Sequence, residues 1–327
     1  MGRQPGLLPP HPGAGQLSAA AAVVSYNTRE LLRACLASVR DAGAAEIVVV
    51  DNGSRDGSVE MVRAEFPEAR LVLDPSNRGY GAAANLAFRR STAEHLLLLN
   101  SDTTVSPGAC RALAAYLDAH PRVGLAGPRL RNPDGTLQRS CFPFPSPRTA
   151  FLGESGLGYG IRFVPGLRAR HPRTWAHDRP RPMPWVLGAA LGIRRAAFDA
   201  VGGFDERFFM YFEEVDLCRR LAGAGWEVHF APVTEVTHLG GASTSQARAE
   251  MIVRYYESMA RFYRFHRPAG DLARLRAIVR AKARVALLRD RARLAVAPGH
   301  ARAALAERIT AWRRLLREPW TEAPPRA

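Results

Sequence analysis

At 327 residues, with 47% apolar side chains, the chain can hold one large globular domain with extensions, or two domains. Its formal charge of +16 would suit a nucleic-acid partner if it were spread over a folded face. Residues 248–327, however, hold 19 basic against 7 acidic side chains, so +12 of the surplus lies in that tail and the rest of the chain is unremarkable. No apolar run reaches bilayer length.

Taken in order, Gly2–Gly15 is rich in Pro and Gly and lacks the basic and apolar blocks of a secretory leader, which makes residues 1–17 a flexible arm. Strand and helix signals then alternate. Ala19–Val24 reads as a strand, Arg29–Arg40 as a helix, Glu46–Val50 as a strand, Val59–Glu65 as a helix and Arg70–Leu73 as extended. Ala82–Arg90 is helical, His95–Leu99 a buried strand, and Pro107–His120 a helix with proline near its start. This alternation predicts βαβ units and a mainly parallel sheet, an α/β fold. From Pro128 to Pro184 the texture turns irregular, and a stretch that long inside a domain is functional or mobile. Regular signals return at Trp185–Ile193, with helices over Arg195–Val201 and Glu213–Ala224 and a short strand at Trp226–Phe230. Three helices follow in the tail: Glu250–Phe265, Leu272–Val296 and Arg302–Leu316. The domains are therefore set at 18–245, with an Arg-rich helical tail over 246–327. Cys35, Cys110, Cys141 and Cys218 lack paired spacing and read as reduced thiols of a cytosolic protein, neither zinc ligands nor a disulfide frame.

The run His95-Leu96-Leu97-Leu98-Leu99 stops at Asn100-Ser101-Asp102. Ligands of open α/β sheets sit beyond the carboxyl ends of the strands, so Asp102 is delivered to a ligand position. Asp51 follows a second such strand. Two carboxylates there suit a Mg²⁺ or Mn²⁺ ion shared with a phosphate group, and hence nucleotide-diphosphate chemistry.

Further segments join these: Val23-Val24-Ser25-Tyr26-Asn27, Val50–Ser58 with its Asp51-Asn52-Gly53-Ser54, Asn77–Asn85 with its Asn77-Arg78-Gly79-Tyr80-Gly81, Gly127-Pro128-Arg129-Leu130 with Asn132–Thr136, Trp185 with Gly188-Ala189-Ala190, and Gly202–Arg220. In this order and spacing they resemble family 2 glycosyltransferases of the GT-A fold, in particular the non-processive, rhamnosyltransferase-like enzymes of bacterial cell-wall and surface polysaccharide synthesis. The resemblance spans Ala19 to Ser245. It implies that Asp51 binds the donor's base, though an Asp before Asn-Gly also forms turns unaided. Ser25, Asn27 and Asn77 would frame the nucleotide. Arg78 would contact base or phosphate, or is a solvated surface arginine. Asn100-Ser101-Asp102 occupies the family's metal triad with Asn at its first acidic position, leaving Asp102 as ligand and His238 as a second one.

Glu213-Glu214 stands where the family carries Glu-Asp, and the second carboxylate, here Glu214, would be the general base. Its extra methylene displaces the carboxylate by about one C–C bond, in chemistry sensitive to about 1 Å. Asp216 is the reserve candidate, and Arg219 is expected to hold these carboxylates. An acidic helix start also complements the macrodipole without catalysing anything. Trp185 and Gly188 would line the acceptor pocket, by stacking on sugar and by close backbone approach, although Trp185 also suits a core.

The resemblance thus implies an inverting, metal-dependent transfer from a nucleotide-diphospho-sugar to a glycan or polyprenyl-diphosphate-linked acceptor. The donor it favours is dTDP-rhamnose, ahead of UDP-sugars or GDP-mannose. The arginine-rich tail would meet an anionic membrane surface at the cytoplasmic face, or else form a helical bundle or oligomer contact. Three rivals fit less well. A nucleotidyltransferase needs an early Gly-rich Arg/Lys loop, a nucleic-acid-binding protein needs a recognisable binding motif, and a processive synthase needs membrane spans and a Gln-x-x-Arg-Trp segment.

Overall fold

The computed structural model describes residues 19–154, 175–241 and 247–317; the arm 1–17 and the boundary at 245/246 lie outside them. The first half folds as the alternation predicts: β1 (Ala19–Ser25), α1 (Arg29–Arg40), β2 (Glu46–Asp51), α2 (Ser58–Glu65), β3 (Arg70–Leu73), α3 (Tyr80–Arg90) and β4 (His95–Asn100). These strands pair in parallel in the order β3-β2-β1-β4. The order reverses at β1, because β2 lies on one side of it and β4 on the other. A crevice therefore opens beyond the carboxyl ends of β1 and β4, where Ser25 and Asn100–Asp102 sit.

Side-chain alternation explains the layers. Ala19, Ala21 and Val23 of β1 face a core with Leu32, Leu36 and Val39 of α1, while Ala20, Ala22 and Val24 face a second core with Ala83, Ala84 and Ala87 of α3. Both faces are covered, which is why β1 and β4 read as unbroken apolar runs rather than alternating ones.

Beyond β4 the chain departs from expectation. A short strand β5 (Thr103–Val105) precedes α4 (Ala109–Ala119), and β6 (Val123–Arg131) extends into the stretch read as irregular. There follow β7 (Leu137–Gln138), β8 (Cys141–Phe142), α5 (Pro147–Glu154), β9 (Arg181–Pro182), β10 (Trp185–Val186), β11 (Ala190–Arg194), α6 (Arg195–Ala200) and α7 (Glu213–Gly223). Strand β11 lies antiparallel between β4 and β6. The expected short strand at Trp226–Phe230 is instead the long β12 (Glu227–His238), parallel to β6 and antiparallel to β5. Pro232 hid it: the pairing slips between Phe230 and Glu235, and an irregularity there accommodates a residue with no N–H to donate. This length matters, since it ends β12 on His238.

Three tail helices, α8 (Arg248–His266), α9 (Ala269–Val296) and α10 (Gly299–Arg317), form a third core with Phe208, Phe212 and Val215. The tail therefore packs directly on the loop that leads into α7.

Candidate functional site

At the carboxyl end of β2, Asp51 is buried. Its Oδ1 accepts from the amides of Gly53 (3.2 Å) and Ser54 (2.9 Å), while its Oδ2 is buried with no hydrogen-bond partner. Turn formation and ligand binding are thus both open to the one side chain. Asn27, with φ 49°, donates its amide to Ser54 Oγ and accepts from the Arg55 amide, tying the loops after β1 and β2 together. Ser25 and Ser101 are linked through Thr28, whose hydroxyl lies 3.2 Å from one and 2.7 Å from the other. Asn77 accepts from Asn52 Nδ2 at 3.0 Å. Arg78 is half-exposed and pairs with Glu206 (3.2 Å) and Asp74 (3.5 Å), so a phosphate would compete with two carboxylates for it.

Beyond β4, Asn100 donates its amide to the carbonyl of Ala189, and Asp102 faces His238 from β12, with Oδ1 3.4 Å from Nε2. Gln138 decides what that contact is. Its Nε2 donates to the carbonyl of His238 at 3.1 Å, so its Oε1 is an acceptor, 2.7 Å from His238 Nδ1. Nδ1 therefore carries a proton, and Nε2 is the ring nitrogen turned toward the carboxylate. An imidazole nitrogen and a carboxylate oxygen facing one another at 3.4 Å, beyond the normal N–H···O range, are a pair of groups that a shared cation would suit. An imidazole oriented by a neighbouring amide beside a carboxylate fits a divalent ion.

A different cluster, Glu94, His95 and Asp118, brings three possible ligand atoms together at the opposite end of β4. Arg194, paired with His95 across β11 and β4, lies 4.0 Å from Glu94. That guanidinium disfavours a metal there.

Glu213 and Glu214 open α7. Both are buried, and the Oε2 of each has no hydrogen-bond partner. Burial, then the charge of Glu214, pushes Glu213 well above the usual carboxyl range. Burial also raises Glu214, opposed by backbone N–H groups including that of Gly188. A Cβ on Gly188 would sit 3.4 Å from Cβ and Cγ of Glu214, so only a small residue leaves this contact relaxed. Tyr80 closes the group. Its hydroxyl donates to the Gly188 carbonyl at 3.4 Å, and burial with the charges of Glu213, Glu214 and Asp102 holds it protonated. The turn before α7 places Tyr211 (φ 67°) and Phe212 (φ 68°) in the left-handed region, where bulky residues are rare.

Asp216 points elsewhere. It accepts from Arg220 Nε (2.7 Å) and pairs with His266 of α8 (2.7 Å), so both oxygens are occupied in an interhelix link. It is Arg220, not Arg219, that meets a carboxylate; Arg219 lies over the Phe144 ring. Trp185 stacks on Phe142 and donates to the carbonyl of Pro143, and it lines a cleft of about 220 Å³ together with Glu214, Leu187, Tyr211 and Tyr255. Sequence reasoning missed Thr28, Tyr80 and Gln138. It gave no role to Asn85, the last residue of the Asn77–Asn85 segment, which is buried in a helix of alanines and holds both the amide and the carbonyl of Phe204. A polar residue among buried alanines was the one available signal.

The sequence model of Glycosyl transferase family 2 matches residues 21–165. The N-acetylglucosaminyl-diphospho-decaprenol L-rhamnosyltransferase of Mycobacterium tuberculosis is 33% identical over 255 residues, 72% of this chain and 80% of the relative. The O-antigen biosynthesis protein RfbC of Myxococcus xanthus is 30% identical over 69% of this chain, but over only 17% of its own length. Among solved structures, GalNAc-T7 with UDP, GalNAc and Mn²⁺ superposes with a TM-score of 0.52 at 16% identity, over 74% of this chain and 47% of that one, a likeness of fold.

Proposed function

Because the chain belongs to glycosyl transferase family 2, we propose that it moves rhamnose from dTDP-rhamnose, with inversion, to a lipid-linked glycan acceptor. The observation that carries the mechanism is Glu214: a buried carboxylate with an unpartnered Oε2, lining the same cleft as Trp185. The similarity to the Mycobacterium tuberculosis L-rhamnosyltransferase supports the sugar and the lipid-linked acceptor, and the dTDP carrier follows from the resemblance to the rhamnosyltransferase-like branch.

Asp51 Oδ2 accepts a base N–H of the donor, and Ser25, Asn27 and Asn77 shape the loop around the nucleotide. Asn100 and Ser101 fix the backbone that presents Asp102. Asp102 and His238 would hold a divalent ion, Mg²⁺ or Mn²⁺, whose charge would offset that of the leaving diphosphate. Trp185 and Gly188 position the acceptor sugar. Glu214 Oε2 takes the proton of the acceptor hydroxyl as its oxygen bonds to the anomeric carbon; the bond from that carbon to the diphosphate oxygen breaks, and the nucleotide leaves with the electron pair. A raised pKa makes Glu214 a stronger base at neutral pH. Glu213 lies beside it, and burial together with the charge of Glu214 disfavours ionisation of both at once. Asp216 fixes α7 against α8 rather than touching substrate.

No helix among the described residues is long and apolar enough to cross a membrane. Helix α9 supports a peripheral contact. Val285, Leu288 and Val296 are 68%, 67% and 85% exposed at helical spacing, with Arg284 and Arg291 alongside. That face suits an anionic bilayer surface.

The test incubates the protein with Mn²⁺ and dTDP-, UDP- or GDP-sugars and measures free nucleoside diphosphate, with and without a polyprenyl-diphosphate-GlcNAc acceptor. Acceptor-dependent release from dTDP-rhamnose, lost on chelation, is expected. Release from a UDP- or GDP-sugar instead would overturn the donor assignment.

A further inference from the structure

Besides the cleft at Glu214, a chamber of about 900 Å³ lies between the sheet's end and the tail helices. Glu154, Tyr211 and Tyr255 line both spaces, so the two adjoin. Leu239–Gly241, directly after His238, form another part of its wall. One side of this chamber thus adjoins the cleft lined by Glu214, and another borders the end of β12.

Its chemistry differs from that of the nucleotide pocket. Four cationic side chains, Arg248, Lys282, Arg289 and Arg308, line it against one carboxylate, Glu154. Lys282, the chain's single lysine, pairs with Glu154, which also accepts from Tyr256 at 2.8 Å. Beneath the wall, Asp290 is fully buried and serves Arg289, Arg308 and the indole N–H of Trp312 together. A guanidinium has five N–H donors. The bonds to Asp290 use one from Arg289 and two from Arg308, so donors remain on both. Met251, Ile252 and the half-exposed Leu239 complete the wall with apolar surface.

Cations beside apolar surface match an anionic amphiphile better than a free polar anion. We infer that this chamber seats the diphosphate of the acceptor lipid, held by Arg248, Lys282, Arg289 and Arg308, while the acceptor sugar extends past Tyr211 and Tyr255 to the adjoining cleft at Glu214. The assignment rests on the reading of the acceptor as lipid-linked. It also places Val285, one helical turn from both Lys282 and Arg289, and Leu288, next to Arg289, at the side of the chamber from which a lipid would arrive.

The test is calorimetric titration of the full chain with farnesyl diphosphate, farnesol and inorganic diphosphate, without metal and with excess dTDP filling the nucleotide site. Farnesyl diphosphate is expected to bind, inorganic diphosphate to compete more weakly, and farnesol not to bind. Removing charge-assisted bonds in the double variant Arg248→Gln/Arg289→Gln, both exposed residues, should weaken farnesyl diphosphate about tenfold or more. Lys282→Gln should do the same, with a thermal melt to verify its fold, and Arg63→Gln on α2 should do nothing. Unchanged affinity in the folded variants, or farnesol binding as tightly as its diphosphate, would overturn the assignment. Inorganic diphosphate binding as tightly as the prenyl ester would reduce it to a free-anion site and overturn the lipid. A separate dTDP titration keeps the two readings apart: its failure removes the nucleotide-sugar donor and leaves the chamber measurement standing.

Discussion

Replacing Glu214 with Gln separates catalysis from folding, because the two should move in opposite directions. Gln keeps the side chain's length and its contacts with Gly188 but cannot take a proton. A positioned general base contributes about 10²–10⁴-fold, so kcat should fall by that factor, or about 3–5 kcal/mol of barrier, with the donor KM unchanged. Stability carries the opposite sign. Burial raises the pKa of Glu214 in the folded state, so the folded chain binds more protons than the unfolded one above the ordinary carboxylate range. The associated stability is complete below the unfolded pKa and is lost as pH rises through the folded one. Glu214→Gln escapes that loss. Its melting temperature should match the wild type near pH 4 and exceed it increasingly toward pH 8. In the wild type, kcat/KM should fall on the acid side with a midpoint above the ordinary carboxylate range. Steady-state kinetics and thermal melts across pH 4–9 measure both. A Gln variant that loses activity and stability together at pH 8 would refute the buried-base argument, as would one with near-native kcat.

The other predictions use different observables. Gln138→Leu removes the group that fixes the His238 tautomer, and Mn²⁺ affinity read by electron paramagnetic resonance should drop about 10–100-fold while dTDP binding without metal persists. Asp51→Asn keeps an acceptor for the turn but loses the charge on Oδ2, and calorimetry should find dTDP bound about tenfold more weakly. Asp216→Asn should cost about 3 kcal/mol in denaturant unfolding by leaving the partly buried Arg220 and His266 without their shared anion, yet leave both KM values near native. Val285→Asp with Leu288→Asp should abolish most co-sedimentation with phosphatidylglycerol vesicles and leave transfer to a detergent-solubilised acceptor intact.

The βαβ half was legible because its information is local. β1 and β4 announce themselves as apolar runs, and each ends on the polar residue that the crevice needs. Short motifs carried Asp51, Asp102 and Glu213-Glu214 for the same reason. What stayed hidden is non-local. Gln138 reaches His238 across 100 residues, and nothing around Leu137 marks it as a partner. β12 was cut short because Pro232 reads as a stop, whereas a register slip lets the strand continue to His238. Arg220 replaced Arg219 as the carboxylate partner because Asp216 could meet either at helical spacing, and only the fold shows that Arg220 reaches it and the Val201 carbonyl while Arg219 lies over Phe144. In α9 the apolar positions lie on two faces, Leu275, Val279, Ala283 and Ala286 inward and Val285, Leu288 and Val296 outward, which the sequence blurs into one broad stripe.

The inward face of that tail also bears on the base itself. Left-handed backbone at two successive aromatic residues costs on the order of 1–3 kcal/mol each and persists only where neighbours over-determine it. Here the neighbours belong to α8. Tyr255 meets both the Tyr211 and Phe212 rings edge-on, Phe262 packs on Phe212, and Ser258 Oγ donates to the carbonyl of Met210 at 2.8 Å. On the other side, the Tyr80 amide donates to the Phe209 carbonyl, at a point where Gly79 (φ 104°) leaves no room for a Cβ. The turn that presents Glu213 and Glu214 is therefore clamped between α3 and α8. Deleting the tail would release the base as well as any lipid contact, so truncation cannot separate the two roles. Substitutions confined to the outward face of α9 can: a loss of vesicle binding with unchanged kcat assigns that face to the membrane, and a parallel fall in kcat would tie it to the clamp instead.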